Sequence, residues 1–395
     1  MTVIYNPFDP SFIENPYPTL KALREEAPVY QIMAADGVWL LTRYHDISEI
    51  LHDRERFSVE HRNLKRGPEL EGVAYQRLPV ILFRDPPDHT RWRRILSRSL
   101  TPAHIEAFRP RVSEMVDELL DLLADKGELD FVEEYSVPLP FRVISELLGT
   151  PSEDREQLFA WTADIVNITE PIASPEVSQA IVISSEEMRT YMRDLVAHKR
   201  AHPADDIISR LLAANDGGMT DEELISHLML LQVSAPDPTS NLLAYGTLAF
   251  ARDPEQAAVL RGDPGLDANA VEEMLRYEAP LQLTGRYPTE DVEYHGQRIE
   301  AGTALVLSLA SANHDEAKWG PTADDLNVRR DHVQDHLSFA RGIHTCFGAQ
   351  LARLQAQLTF GRMVRRFPGL KLSAPPTWNS LLNRRGPTQV PISVH

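Results

Sequence analysis

The only cysteine of the chain, Cys346, lies in HLSFARGIHTCFGAQLARLQ, with Gly342 and Gly348 on either side of it. An amphipathic run, GAQLARLQAQLTFGRMV, starts immediately downstream. Peptide N–H groups and the positive end of a helix dipole stabilise a thiolate at such a place, and a thiolate is either a metal ligand or a nucleophile. His344, two residues away, admits a cysteine hydrolase, although no papain- or caspase-like signature surrounds it. The plain alternative is a buried, inert thiol. Three other segments hold side chains able to do chemistry. In VEEMLRYEAP, Glu273 and Arg276 stand at i,i+3 on one helix face, the spacing of an ion pair. In DPPDHTRWRRIL, His89 and Arg93 are four residues apart on one face, so both can meet a single anion or sit as surface cations. LLQVSAPDPTSNLLAYG offers Ser234, Asp237, Thr239 and Ser240 around two prolines.

The elements that must hold these residues are mostly helical. PTLKALREE, YHDISEILHD and RVSEMVDELLDLLADKG carry helical periodicity. Thr220 and Glu223 form a capping box that opens a helix of about 30 residues, interrupted in its middle by Pro236 and Pro238. The two prolines flanking Asp237 are expected to widen a kink there. After DANAVEEMLRYEA the pattern changes to short strand-like pieces, TGRYPT, VEYHG, QRIEAG and TALVLSL, which predict a small β region. No Gly/Ser-rich linker, low-complexity tract or repeat divides the 395 residues, so the expectation is a mainly α protein with a small sheet, one domain over 1–395.

Composition narrows the function classes. Lys+Arg 40 against Asp+Glu 58 gives a formal charge of −18, which opposes nucleic acid and anionic membranes. The N-terminal residues lack the basic start and apolar run of a signal peptide, and no stretch approaches the roughly 20 apolar residues of a membrane helix. A cytoplasmic location is expected. With a single cysteine, no intramolecular disulfide can form.

The stretch Phe339 to Gly348 resembles the cysteine loop of the cytochromes P450, F-G-x-G-x-H-x-C-x-G. Phe339, Gly342, His344, Cys346 and Gly348 match it, and Ala340 stands at the first glycine. The resemblance, to the soluble bacterial type, implies a triangular α-rich body around a buried haem b, with Cys346 as the proximal thiolate and no fused reductase. Glu273 and Arg276 match the family's E-x-x-R, which implies a buried network with an arginine after the sheet, Arg330 rather than Arg329; Leu326 replaces the usual aromatic nearby. DPPDHTRWR is similar to the family's D-P-P-x-H-x-x-x-R. By resemblance His89, Arg93, Arg286 in TGRYPTED and His344 meet the haem propionates. The interrupted helix looks like A-G-x-[DE]-T-T-x-N, with Asp237 and Asn241 in register. Ala235 replaces glycine, and Pro238 takes the place of the proton-relay threonine, leaving Ser234, Thr239 and Ser240 as substitutes. The implied substrate pocket is lined by the loop from Phe57 to Phe83, by Leu230, Val233 and Ser234, by Leu281, Leu283 and Thr284, and by Leu381 and Leu382. Arg62, Lys65 and Arg66 in that loop hint at an acidic group on the substrate.

What the resemblance implies is a monomeric monooxygenase that inserts one atom of O2 into a small, largely apolar molecule in secondary or catabolic metabolism, with electrons from a separate ferredoxin-type donor. Arg91, Arg94, Arg98, Arg341 and Arg353 are candidates for docking that donor. Pro238 motivates an alternative, oxidative coupling, desaturation or peroxide-driven chemistry. A haem-binding sensor without turnover is a third reading.

Overall fold

Alternating aliphatic residues in ALVLS make Ala304–Ser308 the central strand of a five-stranded sheet. Its neighbours are Val38–Leu41, which pairs with it in parallel, and Leu283–Pro288, antiparallel; Val29–Ile32 and Phe57–Ser58 form the edges. Leu305 and Leu307 point into a core with Leu41, Ile47, Ile50, Leu51 and Leu337, and Ala340 of the cysteine loop packs against that core. Burial of these side chains thus fixes one side of the loop.

The computed structural model describes residues 3–32, 37–65, 79–170 and 174–395. These fall into two compact units, 1–69 with 116–136 and 238–395, and 70–115 with 137–237. The first unit holds the sheet, helix Asp267–Tyr277 and helix Ala349–Arg366. The two helices pack together and are tied at two points by bidentate pairs, Arg365 to Asp267 at 3.0 and 2.6 Å and Arg353 to Glu272 at 2.6 and 2.8 Å. Gly246 lets helix Pro236–Arg252 approach closely, since a Cβ there would lie 2.2 Å from the Phe360 ring.

The second unit is helical: Asp88–Ser99, Pro138–Leu148, Arg155–Ile165, Pro175–Ala201, Ile207–Ala214 and Asp221–Ser234. Side chains set the starts of three of them: Ser174 accepts from Val177 N–H, Asp206 from Ser209 N–H, and Thr220 with Glu223 closes the capping box.

The long helix is interrupted where the sequence places its prolines: one helix ends at Ser234 and a second starts at Pro236, with Ala235 between them in helical conformation and donating its N–H to Leu231 O at 3.3 Å. Both prolines therefore occupy the first turn of the new helix, where missing N–H groups cost nothing because no carbonyl of that helix awaits them. What they remove is continuity, because Pro236 and Pro238 withhold the donors that an unbroken helix would send to the carbonyls of Gln232 and Ser234. Among the described residues, no helix is long and apolar enough to cross a membrane.

Candidate functional site

In the first unit the cysteine loop is held by its own backbone. Cys346 N–H donates to Phe339 O at 2.9 Å, and Thr345 bonds Gly342 O through both its N–H (3.2 Å) and its hydroxyl (2.8 Å), closing a short 3-10 turn over Gly342–His344. Gly342 has φ +71, and a Cβ there would lie 2.3 Å from Leu51 O, so glycine is required on both counts. Ala340 has φ +54, a left-handed conformation that glycine adopts more cheaply, at the position where the sequence substitutes the family's glycine. The loop presents Cys346 as an exposed thiol, in no disulfide, three residues before helix Ala349–Arg366.

Two charged assemblies lie in the same unit as the loop, and one of them touches it. Arg353 stacks its guanidinium on Phe339 at 4.6 Å while pairing with Glu272, whose other contact is His336 Nε2 at 3.1 Å. Burial alone pushes the Glu272 carboxyl up, but Arg353 and His336 outweigh it and bring it to about 2; burial lowers the His336 ring. The second assembly is fully internal. Glu273 receives Arg276 at 2.8 Å twice, Arg330 Nε at 3.1 and 3.2 Å, and Asn327 N–H at 2.8 Å. Glu273 and Arg276 are 0% exposed and Arg330 7%. Arg276 also donates to the carbonyls of Asn313, Ala323 and Asp325, and Arg330 to those of Thr322 and Asp325. Arg329 instead faces outward to Asp263 at 3.5 Å.

Arg286 is buried on strand Leu283–Pro288 and donates to Gly285 O at 2.7 Å, while His344 is half-buried in the 3-10 turn. Thr239 is buried in the first turn of helix Pro236–Arg252, and Ser240 Oγ lies 3.4 Å from Ser136 Oγ. Asn241 donates to Pro280 O at 3.4 Å. Leu283, Leu381 and Leu382 share a crevice with Tyr5, Phe12 and Gln282, a grouping that leaves out half-buried Leu281 and Thr284.

In the second unit, His89 is buried and Arg93 half-buried on helix Asp88–Ser99. On Asp221–Ser234, Leu230 is half-buried, Val233 buried and Ser234 exposed; Asp237, beyond the break, is half-buried. Gly348 needs no special freedom, because a Cβ there would only touch Cys346 Sγ at 4.0 Å. Arg66 and the middle of the loop from Phe57 to Phe83 lie outside the described residues; Lys65 is exposed, and exposed Arg62 pairs with buried Glu60.

The five arginines considered for docking all have acidic partners: Arg91 bonds Glu223 and Asp88, Arg94 and Arg98 reach Asp216, Arg341 reaches Asp335 at 3.9 Å, and Arg353 holds Glu272. Sequence reading overlooked His227. Its Nδ1 donates to Glu223 O at 2.6 Å and its Nε2 accepts from Ile81 N–H at 3.0 Å, anchoring the start of the segment Ile81–Phe83. Burial lowers this imidazole to about 4, so it stays neutral, in the tautomer that both bonds demand.

The family model described as Cytochrome P450 matches residues 266–389. Vitamin D(3) 25-hydroxylase of Pseudonocardia autotrophica is 38% identical over 371 residues, covering 93% of this chain and 90% of that protein. The 6-deoxyerythronolide B hydroxylase of Saccharopolyspora erythraea is 33% identical over 408 residues, covering 99% of each. Among solved structures, P450BioI in complex with an acyl carrier protein ligated to hexadec-9Z-enoic acid superposes with a TM-score of 0.90 at 32% identity, over 98% of this chain and 100% of that one.

Proposed function

The chain belongs to the cytochrome P450 family and is a P450 monooxygenase, whose cofactor is haem b on a cysteine thiolate; we propose that it hydroxylates a largely apolar small molecule with electrons from a separate ferredoxin-type donor. The observation that carries the reading is the presentation of Cys346, an exposed thiol on a backbone-bonded loop at the start of a helix. The donor set fits the group, for a lone thiolate suits iron, and Arg286 and His89 are buried groups suited to a carboxylate. When bound, haem with a thiolate ligand supplies the reductive activation of dioxygen and the oxygen transfer.

What the chain adds is orientation and protons. By the family resemblance His89, Arg93, Arg286 and His344 are proposed to hold the propionates, with Phe339 and Gly348 shaping the thiolate side. The Glu273–Arg276–Arg330 assembly positions the segment that leads into the loop. Asp237 takes up a proton and passes it on through ordered water, with Thr239 or a substrate hydroxyl completing the path that Pro238, lacking a hydroxyl, leaves open. Leu230, Val233, Ser234, Leu281, Leu283, Thr284, Leu381 and Leu382 line the proposed pocket. Vitamin D(3) 25-hydroxylase, 6-deoxyerythronolide B hydroxylase and P450BioI in complex with an acyl carrier protein ligated to hexadec-9Z-enoic acid are among the similar proteins, which supports a largely apolar substrate.

Cys346→Ser tests the assignment. The reduced carbon-monoxide complex of the wild type should show the red-shifted band of thiolate ligation and the variant should lose it. A variant that keeps the band refutes Cys346 as ligand. A spectral-shift screen of steroids, terpenoids, macrolactones and aromatic acids then identifies the substrate class. Pro238 favours a second reading, peroxide-driven or non-hydroxylating chemistry; it stands if peroxide, but not reduced donor with O2, supports turnover.

A further inference from the structure

The last turn of helix Pro175–Ala201 carries His198, and His202 caps the helix, its N–H donating to His198 O at 2.8 Å. That bond holds the two residues one turn apart on one face. Both side chains are exposed, and their ring centroids lie 4.9 Å apart with the planes at 44°. Apart from this contact, neither imidazole makes a hydrogen bond or an ion pair among the described residues. Two imidazoles on one metal ion, at the usual Zn–N distance of about 2.0–2.1 Å, have centroids roughly 4.5–5.2 Å apart for bond angles between about 90° and 109°. The observed spacing falls inside that range. The surrounding charge also suits a cation, because the carbonyls of the final turn form the negative end of the helix dipole. Lys199 and Arg200, the cations between the two histidines, are already held by Asp206 at 2.6 Å and by Asp221, and exposed Asp194 stands one turn before His198 on the same face.

We propose that His198 and His202 form a binding site for a borderline divalent transition-metal ion, Zn2+ or its neighbours Cu2+ and Ni2+. Imidazole selects this class over Mg2+ and Ca2+, which take oxygen ligands. Among the described residues no group of three His, Cys, Asp or Glu side chains is placed to hold a metal. Two ligands therefore come from the protein and water completes the sphere, which makes this an exchangeable site rather than a closed structural one. Each neutral ring gives one nitrogen lone pair to the ion in place of a coordinated water, with no change of oxidation state. The chelate exists only while residues 198–202 are helical, so the ion stabilises the final turn. Its effect extends to the next helix, because Lys199, between the ligands, pairs with buried Asp206, which accepts from Ser209 N–H at 2.7 Å and so caps Ile207–Ala214. The bound ion fastens the join between two helices of the second unit.

The test uses haem-loaded protein without an affinity tag, so that the thiolate is engaged and no added histidine competes, titrated calorimetrically with ZnCl2. The wild type should take up one equivalent in a saturable step, and MgCl2 should give none. His198→Ala and His202→Ala should each weaken the zinc step at least about tenfold, because a single remaining ligand loses the chelate. Both side chains are exposed, so alanine at either position leaves the fold intact, which circular dichroism verifies. Hydrogen exchange then locates the ion: amides of residues 198–209 should exchange several-fold more slowly with zinc in the wild type and in neither variant. A wild type with no saturable zinc step overturns the proposal. So does a one-equivalent step that survives unweakened in either variant, since the ion then sits elsewhere or rests on one histidine, and so does zinc uptake that leaves exchange in 198–209 unaltered.

Discussion

A carboxylate buried between two guanidinium groups illustrates how a short pattern becomes a structural commitment. Glu273 carries the counter-charge of both Arg276 and Arg330, and carbonyls of three separate residues complete the sphere of Arg276. Glu273→Gln keeps the shape but leaves two buried cations with no anion, which is expected to cost about 3–5 kcal/mol. Urea denaturation and haem content after purification measure this; an unchanged midpoint with full haem would show that the assembly contributes no stability. The i,i+3 pair was legible in sequence because both partners lie within one turn. Arg353 with Glu272, and His227 with Ile81 N–H, were not, because the partners lie 81 and 146 residues apart. Side-chain type reveals little about a contact whose other half is set by packing.

Helices were read from periodicity and their ends from caps, and the Thr220–Glu223 box is present as the sequence implied. The break was legible as well, from the two prolines, and Pro236 stands at the first position of the helix that follows it. Asp237 is consequently a first-turn acid, where the helix dipole favours its charge. Pro238→Thr restores a hydroxyl and an N–H, so turnover of substrates that lack a hydroxyl should become better coupled, while substrates that bring their own hydroxyl change little. The ratio of product formed to reductant consumed, compared between two such substrates, is the measurement. Equal ratios in both forms would remove Pro238 from the account of the relay.

Across the whole molecule, a formal charge of −18 coexists with many arginines held by carboxylates, Arg91 by Glu223, Arg94 by Asp216 and Arg353 by Glu272 among them. Acid should then act on stability in two opposing ways. Protonating surface carboxylates relieves the self-repulsion of the native state. Buried neutral imidazoles work the other way. In the unfolded chain His227 takes a proton near pH 6.5, and in the folded chain only near 4, so between these values the unfolded chain binds a proton that the native one refuses. Stability from this residue is complete above pH 6.5 and falls by about 3 kcal/mol as pH drops to 4. His336, lowered by burial, adds a loss of the same sign, and Glu272 continues it below pH 4.5, where its stabilising charge is lost as pH approaches about 2. His227→Leu removes the first contribution while leaving the overall charge relief in place. The difference in unfolding free energy between wild type and variant, measured in urea at pH 7, 5.5 and 4.5, should therefore shrink steadily with acid. A difference independent of pH would mean that His227 titrates in the native protein as it does in the unfolded chain, so that burial does not hold it neutral.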